Sequence, residues 1–194
     1  MAPGMIPIFI KVEGRPALVV GGGAVALRKA AWLAESGASV EVLSPDFDPQ
    51  LEALAEASAG QITLMRESFR DRDLSRYMVV VAATDQHEVN RAVAAGARRD
   101  GVPVNVADEP ELCSFFVPAT LRRGALQIAV STAGECPSLA RRIRTELEGA
   151  YPAFYGRFAT ALGEARRWLR VNCPDPARRG RILQELASNQ TVQQ

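Results

Sequence analysis

Residues 14–47, GRPALVVGGGAVALRKAAWLAESGASVEVLSPDF, set three consecutive glycines between a short apolar run and a long amphipathic stretch. An apolar run of strand length, a glycine turn and a helical pattern together form the opening of a dinucleotide-binding βαβ unit. In that reading Gly21 allows the tight turn and Gly23 leaves room for a pyrophosphate to approach the backbone. Ala26 takes the third small position, where helix packs on strand, giving the G-x-G-x-x-A form of the fingerprint. The amide groups and helix dipole at Ala24 and Val25 then face the phosphates.

Working outward, the first hundred residues keep the same alternation. Runs at Ala17–Val20, Val40–Leu43, Ile62–Met65 and Met78–Ala82 have strand length and β-branched content. Helical patterns fall between and after them at Val25–Glu35, Pro49–Ala57 and Glu88–Arg99. The segment GVPVNVAD, 101–108, reads as a fifth strand. Strand alternating with helix predicts a Rossmann-type parallel sheet with both faces covered, which binds its ligand along the carboxyl edge.

The rhythm changes after Asp108. Strands are expected at Phe115–Val117 and Leu126–Ser131, joined through an Arg-Arg-Gly turn, with a helix from Pro137 to Gly149. Two amphipathic helices follow from Tyr151, separated by a break at Asn172-Cys173-Pro174, and the tail NQTVQQ is expected to be disordered. The chain is therefore divided into a Rossmann domain over 1–113, a small α+β module over 114–150 and a helical domain over 151–194.

Composition excludes several classes. A hydrophobic fraction of 47% and a formal net charge of +1 describe a soluble globular chain. No run approaches the ~18 apolar residues of a membrane span, and the N-terminus lacks a secretory pattern, so a cytoplasmic location is expected. Three widely spaced cysteines and one histidine support neither a disulfide framework nor a metal site. Charge is divided unevenly: residues 1–120 carry 11 basic and 16 acidic side chains, and residues 121–194 carry 12 arginines against 6 acids. The second part should attract anions. Without aromatic interleaving or a nucleic-acid-binding module, those arginines do not indicate a nucleic acid.

At the ribose end the usual acidic residue is replaced by Ser44-Pro45-Asp46. Asp46 or the Ser44 hydroxyl is the candidate for the ribose, the alternative being that Asp46 is an ordinary turn or capping residue. No arginine lies between Arg28 and Arg66 to meet a 2′-phosphate, which favours NAD over NADP. Ala83 and Thr84 end the fourth strand beside the cofactor crevice, while Thr84 and Asp85 also suit a cap for the next helix. His87 reads as a surface or capping residue.

Three stretches, PIFIKVEGRPALVVGGGAVALRKA, VVAATDQHEVN and VNVADEPELCSFFVPATLRRGALQIAVSTAGECPSLARRIR, together resemble the precorrin-2 dehydrogenase and sirohydrochlorin ferrochelatase family, the first module of siroheme synthase. The resemblance covers residues 5–150 and is to the free-standing form, without the methyltransferase to which some members are fused. It implies a homodimer that binds NAD and oxidises precorrin-2 to sirohydrochlorin, with Fe2+ insertion in some members. Asp108 matches the functional aspartate of the family's NV.D motif. Thr132 falls where some members carry a serine proposed for phosphorylation or substrate contact, and Ser131 and Arg141 stand beside it as substrate-binding candidates. Eight carboxylates on precorrin-2 give the arginines a partner. The competing reading is a non-catalytic NAD-sensing regulator, which would not need the stretch from Asp108 to Arg144.

Overall fold

The computed structural model describes residues 4–188; the tail expected to be disordered lies outside the described residues. The chain forms two compact units, one ending at Val117 and the other beginning at Pro118.

The first unit is built on five parallel strands, β1 (Pro16–Val20), β2 (Ser39–Ser44), β3 (Ile62–Arg66), β4 (Val79–Ala82) and β5 (Val104–Val106). Their order is β3-β2-β1-β4-β5, so the connection reverses direction between β1 and β4. That reversal is the switch point at which an open α/β sheet offers a crevice beyond its carboxyl ends. The helices are α1 (Ala24–Glu35), α2 (Pro49–Ala57) and α3 (His87–Arg99). Alternate residues of β1 supply two apolar layers, Ala17 and Val19 on one face and Leu18 and Val20 on the other. α1 buries Ala26, Ala30 and Leu33 in the first layer, and α3 buries Val93, Ala94 and Ala97 in the second. Full burial of each valine or leucine is worth about 1.5–3 kcal/mol, so the central strands anchor the unit.

Both long helices leave by the same device. Ala38 N–H donates to Leu33 O and Gly37 N–H to Ala34 O at the end of α1; Val102 N–H to Ala97 O and Gly101 N–H to Arg98 O repeat the pattern after α3. These are Schellman exits, with a left-handed glycine turning the chain directly into β2 and β5. They shorten the fifth strand relative to the expected 101–108, because Gly101 and Val102 belong to the exit.

The second unit contains an antiparallel hairpin, β6 (Ala119–Arg123) and β7 (Leu126–Val130), followed by α4 (Pro137–Ala150), α5 (Phe154–Asn172) and α6 (Pro176–Leu186). The strand expected at Phe115–Val117 is displaced to β6. Phe115 packs against the first unit's apolar layer, its carbonyl accepts from Asn105 Nδ2 at 3.1 Å, and Ser114 N–H donates to Val104 O at 2.8 Å. That segment is thus committed to closing the parallel sheet. The two arginines expected in the turn lie within β6, and Gly124-Ala125 turns instead. The expected boundary at 113/114 falls within this closing segment, four residues before the division between the compact units.

Candidate dinucleotide site and its polar edge

The glycine turn draws three strand ends together. Gly21 N–H donates to Leu43 O at 2.9 Å, and Ala83 N–H donates to Val20 O at 2.7 Å. A Cβ on Gly21, whose φ is 127°, would stand 2.3 Å from Ala83 O; one on Gly22 would stand 1.9 Å from Asp46 O. Gly22 O in turn accepts from Asp48 N–H at 2.8 Å. Gly23 differs: it is exposed, and a Cβ there would meet nothing within 4 Å. α1 begins at Ala24 with no side-chain cap and no acidic residue in its first turn. Among the described residues, the amides of Ala24, Val25 and Ala26 have no acceptor. Open space, free N–H groups and the positive end of a helix dipole fit a pyrophosphate.

Beside this cradle, Ser44 is buried at the end of β2 while Pro45 and Asp46 are exposed. Asp48, rather than Asp46, caps α2, its carboxylate accepting Gln50 N–H at 2.8 Å. Among the described residues, no hydrogen bond or ion pair engages the Asp46 carboxylate. Arg66 lies opposite Ser44 in the β2–β3 register, close in space though remote in sequence. Its guanidinium stacks 5.2 Å from the Phe47 ring centre and pairs with Glu52.

Beyond β4, Thr84 is held by Asn90. Asn90 Oδ1 accepts Thr84 Oγ1–H at 2.8 Å and Thr84 N–H at 3.3 Å, and Asn90 Nδ2 donates to Thr84 O at 3.1 Å. The Thr84 hydroxyl oxygen also accepts Gln86 N–H at 3.2 Å, but α3 begins at His87 behind Gln86 with no side-chain cap, so neither Thr84 nor Asp85 is its cap. Asp108 stands just past β5 with an exposed side chain and a left-handed backbone, φ 60°. Aspartate tolerates that conformation better than most residues, yet it still carries strain. No hydrogen bond engages the Asp108 carboxylate among the described residues.

Four buried or half-buried polar groups at this edge were not singled out in the sequence: Asn90, Glu109, Asn105 and Lys29. Glu109 is 6% exposed, yet its Oε1 meets exposed His87 Nδ1 at 3.1 Å. The bond from His87, helped by Asn90, holds the Glu109 carboxyl below the usual carboxylate range against the opposing effect of burial. Lys29 Nζ donates to Asn105 Oδ1 at 3.1 Å, beneath the Asp108 loop. Burial, then neighbouring Arg28, pulls the Lys29 ammonium below the usual lysine range, while Cys113 and Asp108 act the other way. For Lys29, Asn90 and Asn105 the signal was position, polar residues interrupting the apolar faces of α1, α3 and β5; Glu109, in the loop after β5, carried none.

In the second unit, Ser131 Oγ accepts Ala133 N–H at 3.1 Å and Thr132 Oγ1 accepts Cys136 N–H at 3.1 Å. These bonds shape the turn into α4. Of the three arginines in α4, Arg142 pairs with Glu146 and Arg144 with Glu148. Arg141 is exposed and has no ion pair among the described residues. No helix among the described residues is long and apolar enough to cross a membrane, and no group of three or more His, Cys, Asp or Glu there could hold a metal.

The switch-point crevice, the open glycine cradle and the uncapped α1 define a Rossmann-type nucleotide-binding protein that uses NAD. Residues 8–119 match the family described as putative NAD(P)-binding, and the chain belongs to that family. Residues 123–150 match the segment described as sirohaem biosynthesis protein central. Siroheme synthase of Methylobacillus flagellatus is 48% identical over 162 residues, covering 83% of this chain and 34% of its own length. Siroheme synthase of Methylococcus capsulatus is 41% identical over 174 residues, covering 90% of this chain and 36% of its own length. The chain thus spans about a third of the length of these curated relatives. The solved structure of SirC, precorrin-2 dehydrogenase, superposes with a TM-score of 0.77 at 28% identity, covering 96% of this chain and 91% of that one.

Proposed function

We propose that the chain is a precorrin-2 dehydrogenase, oxidising precorrin-2 to sirohydrochlorin in the cytoplasm with NAD as hydride acceptor. The observation that carries this reading is Asp108, a free carboxylate held in a left-handed turn at the end of β5, one strand from the switch point where the glycine cradle opens. The likeness to siroheme synthases and to SirC supports it.

NAD, when bound, supplies an electrophilic nicotinamide carbon for hydride. The amides at Ala24 and Val25, with the space over Gly23, hold the pyrophosphate; Ser44 or Asp46 holds the ribose; Ala83 and Thr84 border the cofactor. Oxidation removes a hydride and a proton from the tetrapyrrole. Bound NAD would be the hydride acceptor, and the Asp108 carboxylate takes the proton and passes it to water. In the second unit, the unpaired Arg141 guanidinium and the hydroxyls of Ser131 and Thr132 bind substrate carboxylates.

Iron insertion is a separate reaction with Fe2+ as substrate, and it requires the loss of pyrrole N–H protons. The same Asp108 carboxylate serves as base there. Anaerobic incubation with precorrin-2 tests the two activities in turn. Sirohydrochlorin should form only when NAD is added, and siroheme only when Fe2+ follows. Sirohydrochlorin formation at the uncatalysed rate with NAD present would refute the dehydrogenase reading, and a lack of metal insertion would remove the second activity alone.

A further inference from the structure

Thr84 and Asp108 stand beyond the ends of adjacent strands, and a pair of buried polar side chains joins the loops that carry them. Asn90, 3% exposed in the first turns of α3, directs three bonds to Thr84 and a fourth from Nδ2 to Glu109 Oε1 at 3.3 Å. Glu109 follows Asp108 directly, and its carbonyl accepts Leu112 N–H at 3.1 Å, closing a single 3-10 turn over Pro110–Leu112. A carboxylate and an amide are costly to bury unless their bonds are satisfied, and here the satisfying bonds run from one loop to the other. A left-handed aspartate persists only where its surroundings fix it. Among the described residues, the side-chain bonds that tie Glu109, next to Asp108, to the cofactor edge come from Asn90 and, at the first residue of α3, from His87.

We infer that Asn90 and Glu109 form a clamp that makes the Thr84 loop and the Asp108 loop one rigid element, so that the base is positioned from the cofactor side of the site. Both are positioning residues. Neither reaches into the glycine cradle. The catalytic part of this inference rests on the proposed dehydrogenase activity; the mechanical part does not.

Hydrogen exchange on the full-length protein tests the mechanical part, with residues 83–86 and 107–112 as reporters. Asn90→Ala and Glu109→Leu should each accelerate exchange in both segments, by about tenfold or more, while the sheet stays protected. Glu109→Gln, which keeps an acceptor for Asn90 Nδ2, should restore both. Acceleration confined to the loop next to the altered residue, or no rescue by Gln, overturns the clamp. If Glu109→Leu does not fold, Asn90→Ser is read in the same way. In turnover, Glu109→Leu should lower kcat about tenfold or more with KM for NAD within about twofold, as expected when a base is displaced rather than cofactor binding lost. An unchanged kcat overturns the positioning role. Wild-type protein inert toward precorrin-2 would overturn the function instead, leaving the exchange result to decide the clamp on its own.

Discussion

At Gly22 and Gly23, neighbouring residues of one chemical type do different work. A methyl group at Gly22 would collide with Asp46 O, a backbone atom that cannot swing aside, whereas at Gly23 it would project into open space. Gly22→Ala should therefore destabilise the fold by about 1–3 kcal/mol through overpacking, visible as a lower Tm. Gly23→Ala should keep the wild-type Tm and weaken NAD binding by about tenfold in calorimetry, since it fills space reserved for the pyrophosphate. Equal Tm losses in the two variants would show that the turn is only a tight connection. Two carboxylates give a pH test. Arg99, then the N–H of Leu74, holds the Asp100 carboxyl below its usual range, as His87 does for Glu109. Both folded-state values lie below the unfolded ones. Their stabilisation is thus complete above the ordinary carboxylate pKa of about 4 and is lost as pH falls through the depressed values. Asp100→Asn and Glu109→Gln should each flatten the fall of Tm on acidification below about pH 4; a slope identical to wild type would remove the assigned pairings.

Sequence periodicity located the parallel sheet at the level of elements because buried strands are apolar on both faces and their connecting helices on one. It misplaced the strand before the hairpin for an equally physical reason. Phe115–Val117 is as apolar as any strand, but Ser114 bonds Val104 and Phe115 bonds Asn105 at the sheet edge of the first unit, a pairing that no local pattern reveals. The glycine cradle was legible because its geometry lies within one turn. Asn90 and Glu109 were not, because burial of a polar side chain depends on contacts made across separate elements. Arg66 shows the same limit: it lies far from Ser44 along the chain and opposite it across β2 and β3. The expected preference for NAD over NADP therefore rests on more than a missing arginine. Glu52, from α2, pairs with Arg66 and holds its charge. Glu52→Gln should release that guanidinium and improve NADP affinity relative to NAD by about fivefold or more, measured by competitive titration. An unchanged ratio would mean that Arg66 does not reach the ribose.

Over the whole molecule, the second unit is less well buried than the first. Among its described residues only Leu121, Ala140, Gly156 and Leu169 are buried, and Trp168 and Val171 of α5 are exposed. So small a core is marginal alone, and a homodimer formed through this unit would supply the missing burial. Analytical ultracentrifugation should give twice the chain mass at micromolar concentration; a strictly monomeric particle there would leave the unit without that support. The chain also divides its charge, with the arginine excess in the second unit, as the proposed polycarboxylate substrate would favour. The proposed chemistry converges on Asp108. The most direct test follows NADH formation from precorrin-2 and NAD without oxygen, comparing wild type with Asp108→Asn, each shown beforehand to bind NAD equally. The account predicts one NADH per sirohydrochlorin in the wild type and a rate about 10²–10⁴-fold lower in Asp108→Asn. A wild-type rate in the variant, or oxidation that yields no NADH, would contradict it.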